Sequence, residues 1–412
     1  MIDDEAPPQP GLPDAQALAA FAMLFAALVS DGFDLQALGF AAPGIVREWG
    51  IARPVLAPAL SAGLVGVFVG APLFGWIGDR LGRRRTVILG SVIYGLFCLL
   101  SARAGSVSEL VALRFCTGIG LGGVLPNVIA LAAEVAPARR RALFTSLITI
   151  GISSGGLLAG LIAAWLVPDH GWRILFVVGG VLPLLIALLI AIALPESPAF
   201  RADRASRTTI PGHAGLLTGR FASVTPLMWL LFAGVLMSIY LLTSWLPLAL
   251  EAGGMPPRDA AIMNIMLQFG GVVGGVVASL LLSRFRMKLV AAMLICAFGT
   301  SAFMALIKLP PIALAVVLGL CGVGLIGCQT SINALAGLAY PTPIRARGVG
   351  LALGVGRLGS ITGPLVGALF LSLTSVGTSG LFLAPLIPLA VALTAALLLA
   401  PRLAGESLSG RE

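Results

Sequence analysis

Two acidic residues lie where the chain is otherwise apolar. Asp31 and Asp34 interrupt an apolar stretch from about Ala15 to Pro43, which is long enough to cross a bilayer as a helix. Being three residues apart, they share one face of that helix. A carboxylate in the middle of a span costs on the order of 2.5–3.5 kcal/mol on insertion scales, so it is seldom there without a function. The pair therefore indicates a proton or substrate site, unless both acids lie near the helix end and face water.

Two arginines also fall inside apolar stretches. Arg357 is surrounded by Gly356 and Gly359, which leave space for a ligand. A planar guanidinium matches a carboxylate with two parallel hydrogen bonds. We therefore expect Arg357 to face a substrate carboxylate, with a structural pair to an acid or to helix carbonyls as the alternative. For Arg114 we expect either substrate contact or a pair with an acid of the first span, Asp34 or Asp31.

Further polar and aromatic residues lie on other apolar stretches and complete the set of candidate substrate contacts. They are Asn127, Tyr240, Trp245, Gln268, Gln329 and Asn333. Amides and a phenol bond to a ring hydroxyl or a carboxylate, and an aromatic ring stacks on another ring. For each amide the alternative is a hydrogen bond between helices.

The elements that carry these residues are predicted to be membrane helices. Of the 412 residues, 58% are hydrophobic and 10% are charged, whereas a soluble protein has about 25% charged residues. Apolar stretches of this length satisfy their backbone in lipid as helices. We predict an all-α membrane protein with twelve transmembrane helices, at 17–42, 55–77, 86–103, 109–132, 142–166, 173–194, 225–250, 259–282, 288–307, 311–338, 346–372 and 380–400.

The basic charge indicates how the chain is oriented. Most of the 26 Lys and Arg residues fall in alternate loops, and positive loops stay in the cytoplasm. Both termini are therefore predicted to be cytoplasmic. The first ten residues carry acids and no cation, unlike a secretory signal peptide. The net charge of +9 is then a topology signal, which argues against a nucleic-acid partner.

The two halves of the chain repeat each other. Asp79-Arg80 corresponds to Ser283-Arg284, and Gly155 corresponds to Gly359, at one offset of 204 residues. We predict a first six-helix bundle over 1–194, a cytoplasmic central loop over 195–224 and a second bundle over 225–412. Parallel repeats of this kind form transporters with the substrate site between the halves, near the middle of the membrane.

Several classes of function have no support in the sequence. The five cysteines, Cys98, Cys116, Cys296, Cys321 and Cys328, lie in apolar stretches at irregular spacing. They read as packing residues and not as a disulfide framework or metal site. The sequence has no metal-ligand cluster, nucleophile–base set or phosphate-binding Gly-Lys loop. We therefore predict no cofactor, no metal and no catalytic residue, which argues against an enzyme or an ATP-driven pump.

The loop after the second span carries a recognisable motif. Its residues 75–85 read Gly-Trp-Ile-Gly-Asp-Arg-Leu-Gly-Arg-Arg-Arg, which resembles the G-x-x-x-D-R-x-G-R-R motif of the major facilitator superfamily. A carboxylate at a helix end can be held by cations in one conformation and released in another. The candidate gating residues are Gly75, Asp79, Arg80, Arg83 and Arg84. The second copy has Ser283 in place of the acid, so a latch there is expected to be weaker.

Other stretches resemble one family within that superfamily, the aromatic acid:proton symporters. The resemblance rests on Asp31-Gly32-Phe33-Asp34, on Arg114 with the glycine-rich stretch 117–123, and on the glycines around Arg357. Residues 244–248 and Leu267-Gln268 are similar to the 3-(3-hydroxyphenyl)propionate type of member. The resemblance covers essentially the whole chain. It implies a proton-coupled importer of an aromatic monocarboxylate (hydroxyphenylpropionate, benzoate or hydroxybenzoate-like), embedded in lipid in a bacterial inner membrane. We expect a monomer to suffice for this function.

The distribution of acids indicates where a proton is carried. Of the 17 acidic residues, only Asp31 and Asp34 lie well within a span. With Glu134, at the inner end of the fourth span, they are the candidate proton-coupling residues. Proton coupling is therefore predicted in the first half. We expect Asp34 to be linked to substrate and Asp31 to be the proton site. A proton-driven exporter of organic acids or drugs would share these features, and a transporter-like sensor of aromatic acids is a third hypothesis.

Overall fold

A computed structural model describes residues 14–137, 141–194, 216–219, 221–340, 342–373 and 377–404. The amino-terminal tail, the last residues and most of the predicted central loop (195–215 and 220) lie outside the described residues. Within them, twelve helical stretches are long and apolar enough to cross a membrane, which confirms the predicted all-α fold with twelve spans. The helices are α1 Asp14–Trp49, α2 Ala57–Leu81, α3 Arg83–Ser101, α4 Val107–Val135, α5 Arg141–His170, α6 Arg173–Ala193, α7 Phe221–Ala252, α8 Pro257–Phe285, α9 Met287–Leu306, α10 Pro311–Ala339, α11 Thr342–Leu373, α12 Gly377–Leu383 and α13 Leu386–Ala404.

Helix packing repeats after six helices, with α12 and α13 together forming the twelfth span. In the first half α2 packs on α4, α1 on α5, and α3 on α4 and α6. In the second half α8 packs on α10, α7 on α11, and α9 on α10 and α13. The described helices therefore form two pseudo-symmetric six-helix bundles. The division at 1–194, 195–224 and 225–412 stays a prediction.

Glycines let the helices within each bundle approach closely. A Cβ on Gly155 of α5 would collide with the carbonyl oxygen of Val29 in α1, and one on Gly32 of α1 would collide with the backbone of Ile152 in α5. Small residues allow such backbone contacts, which drive helix association in lipid. This contact places the acidic stretch of α1 firmly against α5.

Adding one methyl group at this contact is expected to destabilise the fold. Gly155→Ala should lower the free energy of unfolding by about 1–3 kcal/mol, because the new Cβ overpacks two backbones that have no flexible side chain to yield. Gly299→Ala on α9 is the matched control, since nothing lies within 4 Å of its added Cβ. Denaturant unfolding in detergent measures both. Equal stability of the two variants would contradict the described α1–α5 contact.

The two halves touch along α1–α7, α2–α11 and α5–α8. Because twelve spans return the chain to its starting side, both described ends lie on one side of the bundle, the terminus side; the turn between α1 and α2 lies on the far side. Arg47 of α1 forms an ion pair with Glu251 of α7 at 3.3 Å. The guanidinium of Arg258 in α8 lies 4.0 Å from the ring centroid of Trp165 in α5. Both contacts join the two halves on the far side. The space between the bundles is therefore closed on that side.

Candidate substrate and proton site

A buried ion pair joins α1 to α4. Nη1 of Arg114 donates to Oδ1 of Asp34 at 2.9 Å, and Nη2 donates to Oδ2 at 2.5 Å. Asp34 is 0% and Arg114 4% exposed. Two charges away from water are tolerated when the geometry is bidentate and each compensates the other. The expectation that Arg114 pairs with an acid of the first span is confirmed for Asp34.

Asp31 lies one turn away and is held differently. It is 3% exposed at the middle of α1, so neither acid lies at the helix end or faces water. Among the described residues no group hydrogen-bonds to the Asp31 carboxylate or forms an ion pair with it. Arg357 and Asp34 are the charged groups whose electrostatic fields act on it. Arg357 lies at the middle of α11 and also interacts with the Tyr240 hydroxyl of α7. Asp31, Tyr240 and Arg357 thus form a second polar group, which spans both halves.

A small cavity lies beside these groups. Its volume is about 20 Å³, and its walls include Leu38, Leu60, Arg114, Tyr240 and Ser244. This space holds about one water molecule. An aromatic acid is much larger than this space.

Gln268 and Trp245 occupy different environments. Gln268 is buried against Gly156 of α5, at the contact between the halves. The Trp245 indole N–H donates to the Pro364 carbonyl of α11 at 2.9 Å, and the side chain is fully buried. Trp245 therefore joins two helices of the second half, and its role as a substrate contact stays a prediction.

The remaining amides bond to each other or to their own helix. Gln329 donates to Asn333 one turn further along α10, at 2.9 Å. Asn127 donates to the Gly123 carbonyl of its own helix at 2.8 Å. Since Asn127 follows Arg114 by 13 positions on α4, about 20 Å of helix separates the two. The structure does not bring Asn127 to the buried pair.

Glu134 belongs to the terminus-side end of α4. Its carboxylate pairs with Arg83 at 3.1 Å, and about 30 Å of helix separates it from Arg114. Arg84 donates to the carbonyls of Ile190 and Ala191, which end α6. These contacts connect the motif loop to α4 and α6 of the same half.

The other motif residues are more accessible. The guanidinium of Arg80 lies 3.8 Å from the ring centroid of Trp76. Asp79 is exposed and makes no ion pair with a described residue. Nothing lies within 4 Å of a Cβ added to Gly75. In this conformation the Asp79 carboxylate is not held by a described cation.

Sequence reasoning missed two features near the site. The Tyr94 hydroxyl donates to Ser30 Oγ at 2.8 Å. Both residues are fully buried, and Ser30 precedes Asp31 in the chain. Asn264 of α8 is 0% exposed and lies one turn before Gln268. The spacing of four residues that singled out Gln329 and Asn333 would have found it.

The fold and the buried charges between two repeated bundles define a membrane transporter. The family model of the Major Facilitator Superfamily matches residues 24–352. The chain is 35% identical over 381 residues to the gallate transporter of Pseudomonas putida, covering 85% of each chain. It is 34% identical over 376 residues to the 3-(3-hydroxy-phenyl)propionate transporter of Escherichia coli, covering 91% of this chain and 92% of the relative.

A solved structure shows the same fold. The inward open conformation of the xylose transporter XylE from E. coli superposes with a TM-score of 0.76 at 16% identity, covering 93% of this chain and 95% of that one. The chain belongs to the Major Facilitator Superfamily and is a multi-pass membrane protein.

Proposed function

We propose that this protein imports an aromatic monocarboxylate together with protons, by alternating access between the two bundles. The observation that carries the proposal is Asp31, a buried acid at mid-span whose carboxylate has no hydrogen bond or ion pair with a described residue. An ionisable group inside a span marks an ion or substrate pathway. The relatives named above, transporters of gallate and of a hydroxyphenylpropionate, support the choice of substrate class.

Asp34 and Asp31 would have different roles in transport. Asp34 is neutralised by Arg114 in this conformation, so Asp31 is the acid that can gain or lose a proton without breaking a bidentate pair. Arg357, whose charge acts on both Asp31 and Tyr240, is the group that would bind the substrate carboxylate. Protonation of Asp31 leaves the charge of Arg357 free for an incoming anion, which couples the two events.

The alternating bundles would be controlled at both ends of the interface. With both termini in the cytoplasm, as the loop charges predict, the far side is the outside. The Arg47–Glu251 and Arg258–Trp165 contacts then close the protein toward the outside, as in an inward-facing state. Asp79, Arg80 and their neighbours would hold the cytoplasmic side in the opposite state. A monoanion entering with more than one proton moves positive charge inward, and the membrane potential contributes about 2.3 kcal/mol per charge per 100 mV.

Binding of aromatic acids tests the proposal at its first step. We expect gallate, 4-hydroxybenzoate and 3-(3-hydroxyphenyl)propionate to raise the unfolding temperature of the purified protein, because a ligand that binds only the folded state stabilises it. Two compounds serve as controls and should not raise the unfolding temperature. Cyclohexanecarboxylate has the carboxylate without an aromatic ring, and D-xylose has neither. Stabilisation by none of the aromatic acids would contradict the substrate class. Direction of transport separates an importer from an exporter: pH-driven efflux of a bound acid from oriented vesicles would favour the exporter.

A further inference from the structure

Two buried amides on α8 have polar atoms without partners. Asn264 is 0% and Gln268 3% exposed. The Asn264 Oδ1 and the Gln268 Nε2 have no hydrogen-bond partner among the described residues. Most buried polar side-chain atoms are bonded, and each exception requires an explanation. Here one acceptor and one donor are unpaired one turn apart.

The neighbours of Asn264 determine which of its atoms is available. Its Nδ2 lies 3.5 Å from the carbonyl oxygen of Thr243 in α7, to which it donates. A carbonyl accepts only, so the amide nitrogen must point to it and Oδ1 must point away. Asn264 and Gln268 are four residues apart and therefore share one face of α8. Together they present an acceptor and a donor to the same region.

This region is a junction of both halves. Gln268 is packed against Gly156 of α5, and the Thr243 carbonyl is packed against Gly39 of α1. The two amides therefore lie where α1 and α5 of the first half meet α7 and α8 of the second. A substrate that enters between the bundles would reach this junction when they move apart.

The amides also lie at the depth of the candidate carboxylate site. Along α8, Gln268 lies about 6 Å from Asn264; along α7, Tyr240 lies about 4.5 Å from Thr243. The two helices run in opposite directions. The step from Asn264 to Gln268 and the step from Thr243 back to Tyr240 are therefore both directed toward the terminus side. Gln268 and Tyr240 therefore lie at similar depth, and Tyr240 neighbours Arg357.

We propose that Asn264 and Gln268 bind a hydroxyl group on the aromatic ring of the substrate. The hydroxyl would donate its hydrogen to Asn264 Oδ1 and accept from Gln268 Nε2. A hydroxyl group provides one donor and two acceptor lone pairs, which satisfies both atoms. A second carboxylate would leave Oδ1 facing another acceptor, and an ammonium group would leave Nε2 unpaired. The inference rests on the proposed function and makes the substrate a hydroxylated aromatic acid.

Dissociation constants of matched ligands test this on the wild-type protein. Benzoate, 3- and 4-hydroxybenzoate and the two corresponding methoxybenzoates differ only in the substituent at ring position 3 or 4. We expect the better hydroxybenzoate to bind at least about tenfold more tightly than benzoate, since a site built to bond a hydroxyl rejects the analogue without one. A methoxy group accepts a hydrogen bond but does not donate one. The methoxybenzoate substituted at the same ring position should therefore lose most of the gain in affinity over benzoate.

Two variants assign the effect to the amides. Asn264→Leu and Gln268→Met keep the approximate size of the side chains. Each should bring the ratio of hydroxybenzoate affinity to benzoate affinity close to one. Ser279→Ala on the same helix is the control, because that hydroxyl bonds to the Gly275 carbonyl. A ratio unchanged in the variants, or equal losses for both ligands, would overturn the assignment.

The wild-type result separates this inference from the proposed function. If the wild type binds benzoate and hydroxybenzoates equally, the hydroxyl site is wrong and the proposed function stands. If it binds none of these acids, the proposed function fails, and the hydroxyl site fails with it.

Discussion

Asp31→Asn is expected to abolish pH-driven accumulation of an aromatic acid in proteoliposomes. A pH step of two units supplies about 2.7 kcal/mol per proton, which corresponds to about a hundredfold concentration ratio. The wild type should approach such a ratio, and the variant should equilibrate to a ratio near one. Asn cannot carry a proton, while its size preserves the packing of Asp31, which is buried in the middle of α1.

Exchange without net proton movement distinguishes lost coupling from lost folding. We expect Asp31→Asn to retain counterflow, in which labelled acid outside exchanges for unlabelled acid inside. Glu109→Gln is the control, since this acid caps the exposed start of α4 through the Gly105 N–H; it should accumulate substrate like the wild type. Accumulation by Asp31→Asn at the wild-type level would place the proton elsewhere.

Arg114→Met is expected to lower the free energy of unfolding by about 3–5 kcal/mol. The substitution leaves the Asp34 carboxylate, which is fully buried, without the cation that compensates its charge, and an uncompensated buried charge is strongly destabilising. The comparison is Arg173→Met, which breaks a bidentate pair with Glu48 of similar geometry at the protein surface. Exposed pairs contribute about 0–1 kcal/mol, so this second loss should be small.

Removing both partners should restore most of the stability. In Asp34→Leu combined with Arg114→Met, no charge stays buried, and apolar replacements of a buried pair are often neutral or stabilising. The double variant is expected to unfold close to the wild type in denaturant while transport is lost. A double variant less stable than Arg114→Met alone would show that packing, and not charge compensation, determines the cost.

The spans were predictable because hydrophobic length is a property of the chain alone. The rarity of charge in lipid also singled out Asp31, Asp34, Arg114 and Arg357 before any fold was known. Helix ends were less predictable: α1 continues through Pro43 to Trp49, beyond the predicted end at 42, because its last turns pack on other helices and need no lipid.

Partners of individual polar side chains depend on how each helix is rotated, which the sequence does not specify. The Trp245 N–H could have faced a substrate ring, yet α11 presents the Pro364 carbonyl to it. Glu134 carries the same charge as Asp31 but pairs with Arg83 at the end of α4. Asn264 could have been found from its four-residue spacing to Gln268, but its contact with the Thr243 carbonyl of α7 depends on helix packing.

Proton movement upon addition of substrate tests the central claim most directly. Proteoliposomes at equal pH on both sides, with a negative interior potential, receive an aromatic acid while a dye reports the external pH; protein-free liposomes correct for passive entry. Symport predicts that the medium becomes more alkaline, faster at more negative potential, and that Asp31→Asn vesicles give no signal. Acidification of the medium, or uptake of labelled acid without any change in pH, would contradict proton-coupled import.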